Sequence, residues 1–434
     1  MSGELTNPFA RHGLLRAARG QSYLAHADGT PFFFLADTAW SGPLRSSESD
    51  WQTYLADRKS KGFTAIQFIL MAPWGGAYTD ANGRTAFNGS EPDPVFFQRM
   101  DARIDAIHRA GLLPVPVLAW AAKFGASARH NPGVSWPTPM LERAIRFQVD
   151  RYGQNPVLWL LAGDGNYGGW RSWRWKRLGR KIFGSASAAR APVGLHPMGG
   201  TWPYARFRRE AWLDLFGYQS GHAGDPSSLR WLRHGPPACA WRTDARPVIN
   251  VEPCYEGIRN WAADRPFTAA DVRRTLYASL LNAPTAGVSY GAHGVWSWEA
   301  EPCEPLNHPG SGIARPWHEA AQFPGSYDVE RLAALFTSFD WWRLKPDSSI
   351  LVSQPGDQDV FHYVSAAVTD ERDLAVVYLP IGGDLCVRPA SLPRQGFWFD
   401  PRTSVRASVK IPSDGRLRSP DTNDWLLVLQ RGSV

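Results

Sequence analysis

No stretch of this sequence reaches the roughly 18 consecutive apolar residues that a membrane-spanning helix needs, so no membrane partner is expected. The opening segment, Met1-Ser-Gly-Glu-Leu-Thr-Asn-Pro, has neither the basic nor the apolar part of a secretory signal. As written, the chain is expected in the cytoplasm, and in the periplasm or outside the cell if a leader has been removed. Cysteine is scarce: Cys239, Cys254, Cys303 and Cys386 lie far apart, with no CxxC pair and no histidine at zinc-site spacing. Scattered thiols suit a reducing compartment, although their even number leaves disulfides formally open. His196, His222 and His293 stand singly without HxH or HExxH spacing, and no serine or cysteine sits in a G-x-S-x-G elbow. Neither a metal nor a cofactor is expected.

Charge is also thin, at 20% of residues, with a net excess of +7. Much of that excess lies in Trp170-Arg-Ser-Trp-Arg-Trp-Lys-Arg-Leu-Gly-Arg-Lys181 and Arg206-Phe-Arg-Arg209, where basic residues alternate with tryptophan as they do in single-strand nucleic-acid grooves. Such a stretch is more often the solvated face of an outer helix. No nucleic-acid partner is expected, and mild attraction to an acidic polysaccharide is the gentler use of the same charge.

Aromatics are what the chain has in excess. Its 21 Trp, 13 Tyr and 21 Phe exceed what cores ordinarily use, and exposed indole faces are common platforms for sugar rings. Most must pack between helices and strands, which leaves a few at strand ends for function.

Two carboxylates stand where apolar runs stop: Asn155-Pro-Val-Leu-Trp-Leu-Leu-Ala-Gly-Asp164 and Arg246-Pro-Val-Ile-Asn-Val-Glu252-Pro-Cys-Tyr255-Glu256. A short apolar run closing on a carboxylate reads as a buried parallel strand with a reactive group at its carboxyl end. In a (β/α)8 TIM barrel that end is the catalytic face, and the separation of the two acids fits roughly three further βα units, placing them on strands 4 and 7. Paired carboxylates facing each other there are the apparatus of glycoside hydrolysis. The plainer reading is that each caps a helix or binds a rim arginine; two together favour catalysis. Glu256 is a rival to Glu252, which ends the run directly and is preferred.

The remaining pattern agrees with a barrel. Apolar runs at residues 32–40, 62–70, 112–120, 157–163, 193–197, 212–219, 248–251 and 287–298 alternate with helical patterns at 49–61, 101–110, 139–152 and 268–281. Pro114 and Pro116 are awkward inside the third run. After a last helix at 329–338 the texture changes at Asp340-Trp-Trp, and short runs at 361–368, 374–379, 396–400, 405–411 and 424–430 read as a small antiparallel β-sandwich. The expected division is 1–339 for the barrel and 340–434 for the sandwich.

Nearly every run delivers a polar or aromatic side chain at its end: Asp37, Gln67, Asp164, His196, Gln219, Glu252 and a group of Trp296, Trp298 and Glu299. Such regularity suits a pocket for a polyhydroxylated ligand. Trp40, Tyr255 and Trp296 are expected to wall it, with Asp37, Gln67, His196 and Gln219 on hydroxyls and Glu256 close by. For Asp37 a helix cap is the plainer alternative.

The motifs Phe34-Leu-Ala-Asp37-Thr-Ala-Trp40, Gly62-Phe-Thr-Ala-Ile-Gln67, Leu161-Ala-Gly-Asp164, His196-Pro197 and Glu252-Pro-Cys-Tyr255-Glu256 resemble those of the apiosidase-like bacterial glycoside hydrolases. These are barrels formerly of unknown function that end in a collagen-binding-type β-domain. The resemblance implies a retaining β-glycosidase whose catalytic Asp and Glu map onto Asp164 and Glu252, and an activity that removes the branched pentose apiose from plant pectin. The expectation is thus an exo-acting hydrolase of an oligosaccharide or glycoside, with Asp164 as acid/base and Glu252 as nucleophile. An arabinofuranosidase-like enzyme or a non-catalytic carbohydrate-binding barrel are the alternatives.

Overall fold

The structure is a computed structural model that describes residues 7–16, 20–71, 79–89, 91–123, 130–184, 190–306 and 308–431; residues 1–6, most of the opening segment read above, lie outside it. Eight short parallel strands, all buried, follow the eight apolar runs: β1 (Phe34–Thr38), β2 (Ala65–Ile69), β3 (Leu113–Val117), β4 (Trp159–Leu160), β5 (Val193–Gly194), β6 (Phe216–Gln219), β7 (Val248–Glu252) and β8 (Gly287–Tyr290). Their lateral order is β5-β4-β3-β2-β1-β8-β7-β6. The ring is brought almost to closure by the Val193 carbonyl, which accepts from Asp214 N at 2.8 Å just before β6.

The two prolines of β3 fit because of which edge they face. Leu113 donates to Thr64 on the β2 side, so the alternate positions 114 and 116 lack their N–H on the β4 side. There the strands pair only at Val117 and Leu160, while the Pro114 carbonyl still accepts from Leu158 N. The eighth run is strand only as far as Tyr290. Residues Val295 to Trp298 turn instead, with Trp298 at a φ of 58°.

Helix α1 (Glu48–Ser60) starts at Ser47, whose hydroxyl accepts from Asp50 N, and turns Trp51, Tyr54, Leu55 and Arg58 inward. An arginine on that apolar stripe needs a buried partner. Asp37 provides it: its carboxylate accepts from Arg58 Nη1 at 3.2 Å and from Tyr54 OH at 2.7 Å, with both side chains of the ion pair fully sealed from solvent. Replacing Asp37 by alanine leaves that guanidinium short of a counter-charge, although Asp57 still contacts it. Asp37→Ala is therefore expected to lower unfolding stability by about 3 kcal/mol, the low end for a broken buried pair. Denaturant titration checks this; unchanged stability with depressed turnover would instead put Asp37 in the site.

Helix α2 (Ala269–Leu281) opens on a capping box between Thr268 and Asp271. It is buried along nearly its whole length because a second layer covers it. That layer is an antiparallel sheet in the order Lys345–Pro346, Ser365–Val368, Leu374–Leu379, Trp425–Gln430, Gln395–Phe399, Arg406–Lys410, joined by a two-stranded ribbon of Asp384–Cys386 and Arg416–Arg418. Period-two alternation divides its faces. Leu374, Val376 and Tyr378 join the barrel core, whereas Ala375, Val377 and Leu379 pack with Leu385, Val387 and Leu417 under the ribbon. Arg273 of α2 locks the layers through paired bonds to Asp424, both 2.8 Å, and a third to Asp328 at 2.6 Å. Among the described residues no helix is long and apolar enough to cross a membrane.

Candidate active site

A cavity of about 360 Å³ opens at the carboxyl ends of the strands. That is within the range of small-ligand sites, roughly 300 to 1,000 Å³. Asp164 and Glu252 both line it, together with Trp40, Trp120, Gln219, His222, Tyr255 and Trp296. No described residue beyond Ser311 contributes to its wall.

Asp164 follows β4 in a left-handed conformation, at a φ of 47°. Aspartate tolerates that region better than most residues, and backbone held there is typical of functional positions. Gly163 makes the approach possible, since a Cβ at that position would stand 2.2 Å from the Trp120 ring. Gln219 Nε2 donates to Asp164 Oδ1 at 2.5 Å and lies 3.0 Å from His196 Nδ1, which also receives Asp164 N at 3.3 Å. With Nδ1 accepting, the His196 proton belongs on Nε2, 3.1 Å from Glu252 Oε2 but off the line of a hydrogen bond. His222 repeats the arrangement with better aim: Nδ1 accepts from Tyr255 N at 3.4 Å and Nε2 meets Glu252 Oε1 at 3.1 Å. Two imidazole N–H groups thus serve one carboxylate, one at each oxygen.

This environment drives the two acids apart. Burial raises the Asp164 carboxyl, the nearby Glu252 charge raises it further, and it stands at about 6 despite the opposing His196 and Gln219. Burial pushes Glu252 upward too, but His196 and His222 outweigh it and hold the group at about 2. At neutral and mildly acidic pH one acid can carry a proton while its neighbour is ionised.

An oxygen of Asp164, a ring nitrogen of His196 and an oxygen of Glu252 lie within 4.8 Å of one another, the one grouping among the described residues with metal-ligand proximity. One His196 nitrogen, Nδ1, takes the two N–H groups, whereas Nε2 faces Glu252 Oε2 at 3.1 Å and neither of these two atoms has a hydrogen-bond partner among the described residues.

Of the residues expected to bind the sugar, Trp40, Gln219, Tyr255 and Trp296 line the cavity, and Trp40 Nε1 donates to Tyr255 OH at 3.0 Å. Four others stand behind its wall. Asp37 is engaged by Arg58 and Tyr54 and does not line the cavity. Gln67 ties β2 across the barrel, donating to Thr38 Oγ1 at 3.0 Å and to the Val251 carbonyl at 2.9 Å, beside Glu252. His196 is fully buried beneath Glu252, packed edge-on against Trp40. Glu256 points toward helix Pro324–Phe336, where its Oε2 accepts from Tyr290 OH and Gly325 N, and burial lifts it to about 7.

Sequence reasoning missed His222 as a site residue because it lies three positions beyond the apolar run of β6. Trp120 carried a usable signal, since it ends the third run. Met198, Trp261, His308 and Ser311 reach the wall from loops, where periodicity marks nothing.

Residues 18–343 match the family described as "Apiosidase-like, catalytic domain". Among solved structures, a protein described as "Glycoside hydrolase" superposes over 98% of this chain and 99% of its own, with a TM-score of 0.84 and 22% identity. A glycoside hydrolase family 5 protein from Bacteroides vulgatus ATCC 8482 covers 97% and 94%, at a TM-score of 0.83 and 21% identity. A family 5 mannosidase from Rhizomucor miehei covers 75% of this chain and 98% of its own at a TM-score of 0.53 and 9% identity. At such identities the likeness carries the fold, of barrel and sheet together in the first two. No curated protein matches the sequence. The family match extends from before β1 to the start of the C-terminal sheet and takes in both carboxylates, and on that footing the chain belongs to the apiosidase-like catalytic-domain family and is a glycoside hydrolase.

Proposed function

We propose that this hydrolase is exo-acting and retaining, and removes a terminal pentofuranose such as apiose from plant-derived glycans or glycosides. The observation that carries the reading is that Asp164 and Glu252 line one cavity with oxygens within 4.8 Å of each other, in surroundings that push Asp164 up to about 6 and hold Glu252 at about 2. Asp164 donates its proton to the leaving glycosidic oxygen while Glu252 attacks the anomeric carbon, giving a glycosyl ester on Glu252 and a free alcohol. Asp164, now ionised, takes a proton from water as that water displaces Glu252. The nearest oxygens lie within 4.8 Å, which is compatible with the roughly 5 to 5.5 Å between carboxyl groups that double displacement uses.

The exo reading rests on a small cavity walled by Trp40, Tyr255 and Trp296. His196 and His222 fix the nucleophile, and the Gln67 bond to the Val251 carbonyl steadies the strand end that carries it. We take residues 340–434 as an accessory unit with no part in the chemistry, since no described residue among them reaches the cavity.

Proton NMR on the first seconds of hydrolysis of apiose-bearing and arabinofuranosyl glycosides tests this directly. Release of a single terminal pentose with the substrate's anomeric configuration is expected. Inverted product would make Glu252 a general base, and binding without release would make the barrel a lectin.

A further inference from the structure

A second cleft, of about 180 Å³, lies between the barrel and the C-terminal sheet. It is lined by Arg233 and His234 of helix Pro226–His234, by Arg242, by Asn282 at the end of α2, and by Ser348 and Tyr363 from the sheet side. Arg233 is 3% exposed, yet no carboxylate lies within ion-pair distance among the described residues, and its Nε and Nη1 have no acceptor. Its guanidinium rests 5.2 Å from the Tyr363 ring centre. Asn282 Nδ2, in the same wall, is a second buried donor without an acceptor.

A guanidinium buried without an ion-pair partner is among the most costly of arrangements, and here only the more distant Asp359 charge returns part of the desolvation. The other buried arginines have acceptors: Arg58 has Asp37, Arg273 has Asp424, and Arg103 and Arg174, which lack a carboxylate, donate to the carbonyls of Ser46 and of Gly133 and Trp136. Burial and the neighbouring Arg274 charge bring Arg233 down to about 10, which still leaves it cationic at neutral pH. The cleft therefore combines a fixed positive charge, a second arginine at its edge and an amide donor, and these share a need for acceptors.

We propose that this cleft binds a small oxyanion, a carboxylate or a phosphate, held by Arg233 and Asn282 with Arg242 at the entrance. Bound there, the anion supplies the missing counter-charge and bridges the barrel to the C-terminal sheet. Planar bidentate pairing with arginine is the ordinary mode for either chemistry.

Thermal unfolding of the full chain in sodium phosphate, and separately in sodium galacturonate, against sodium chloride at equal ionic strength, provides the test. A ligand that binds only the folded state raises Tm, and at a hundredfold its Kd a rise of about 3 °C is expected with at least one of the two anions. Whichever anion acts identifies the source, phosphate or an acidic sugar. Arg233→Met is expected to abolish the shift while leaving Tm in chloride equal or higher, because it removes an unpaired buried charge. Should that variant not fold, Arg242→Gln at the exposed edge is expected to weaken the shift at least several-fold. Equal Tm in all three salts, or a shift that survives in Arg233→Met or is untouched in Arg242→Gln, would overturn the proposal.

Discussion

Glu252→Gln is expected to lower kcat by at least about a thousandfold, because an amide oxygen does not open a glycosidic bond and no other described group stands in its place. The swap keeps shape but breaks the symmetry of its surroundings. Two imidazole N–H groups now face one oxygen and one NH2, so either His196 or His222 must change tautomer or lose its contact. Stability should fall as well. A carboxyl held at about 2 in the fold, well below its ordinary range, favours the native state at every pH above its unfolded value, and that benefit disappears as pH falls toward 2. At pH 7 the variant should lose on the order of 2–3 kcal/mol. Retention of more than about a tenth of the rate, far above the expected loss, would remove Glu252 from the role of nucleophile.

Asp164→Asn is expected to behave in the opposite way on stability while also losing activity. Its loss of rate should be about a hundredfold to ten-thousandfold on alkyl glycosides and much smaller on nitrophenyl glycosides, whose leaving group departs without a proton. In the wild type kcat/KM should decline as pH rises through about 6, where Asp164 gives up the proton it must donate, and that limb should vanish in the variant. A raised carboxyl stabilises the fold below its unfolded value and loses that contribution as pH climbs through about 6. Asparagine escapes the loss. Asp164→Asn should therefore be more stable than wild type at pH 7, on the order of 1–3 kcal/mol, with little difference near pH 4. Equal rate losses on both substrate types, with the alkaline limb intact, would assign the acid to another group.

The barrel was legible because its strands are buried on both faces and so read as unbroken apolar runs, and because each run is punctuated by a polar residue. Asp164 and Glu252, which line one cavity, both carry that punctuation. The same signal marks Asp37 and Gln67, which do not line it. A side chain near a strand end can reach sideways into the barrel wall, and Asp37 turns to Arg58, whose position on the inward face of α1 gave the only hint. Glu256 lies just past the chosen acid, and the turn beyond β7 carries it round toward Gly325. His222 escaped because it lies on a loop, where neither period nor propensity constrains what a side chain meets. Pro114 and Pro116 show how a local objection yields to register: the missing donors face a seam that scarcely uses them.

The central claim is that Glu252 forms a covalent bond to the sugar with Asp164 beside it as acid/base. Mass spectrometry of the enzyme after incubation with an activated 2-fluoro pentofuranoside tests that claim most directly, since the fluorine slows breakdown of the intermediate more than it slows the departure of a good leaving group. The account predicts a stoichiometric mass increase on the intact protein, located by proteolysis to the peptide containing Glu252 and absent in Glu252→Gln. A label on another residue, or turnover of the reagent with no covalent species and an inverted product, would contradict it.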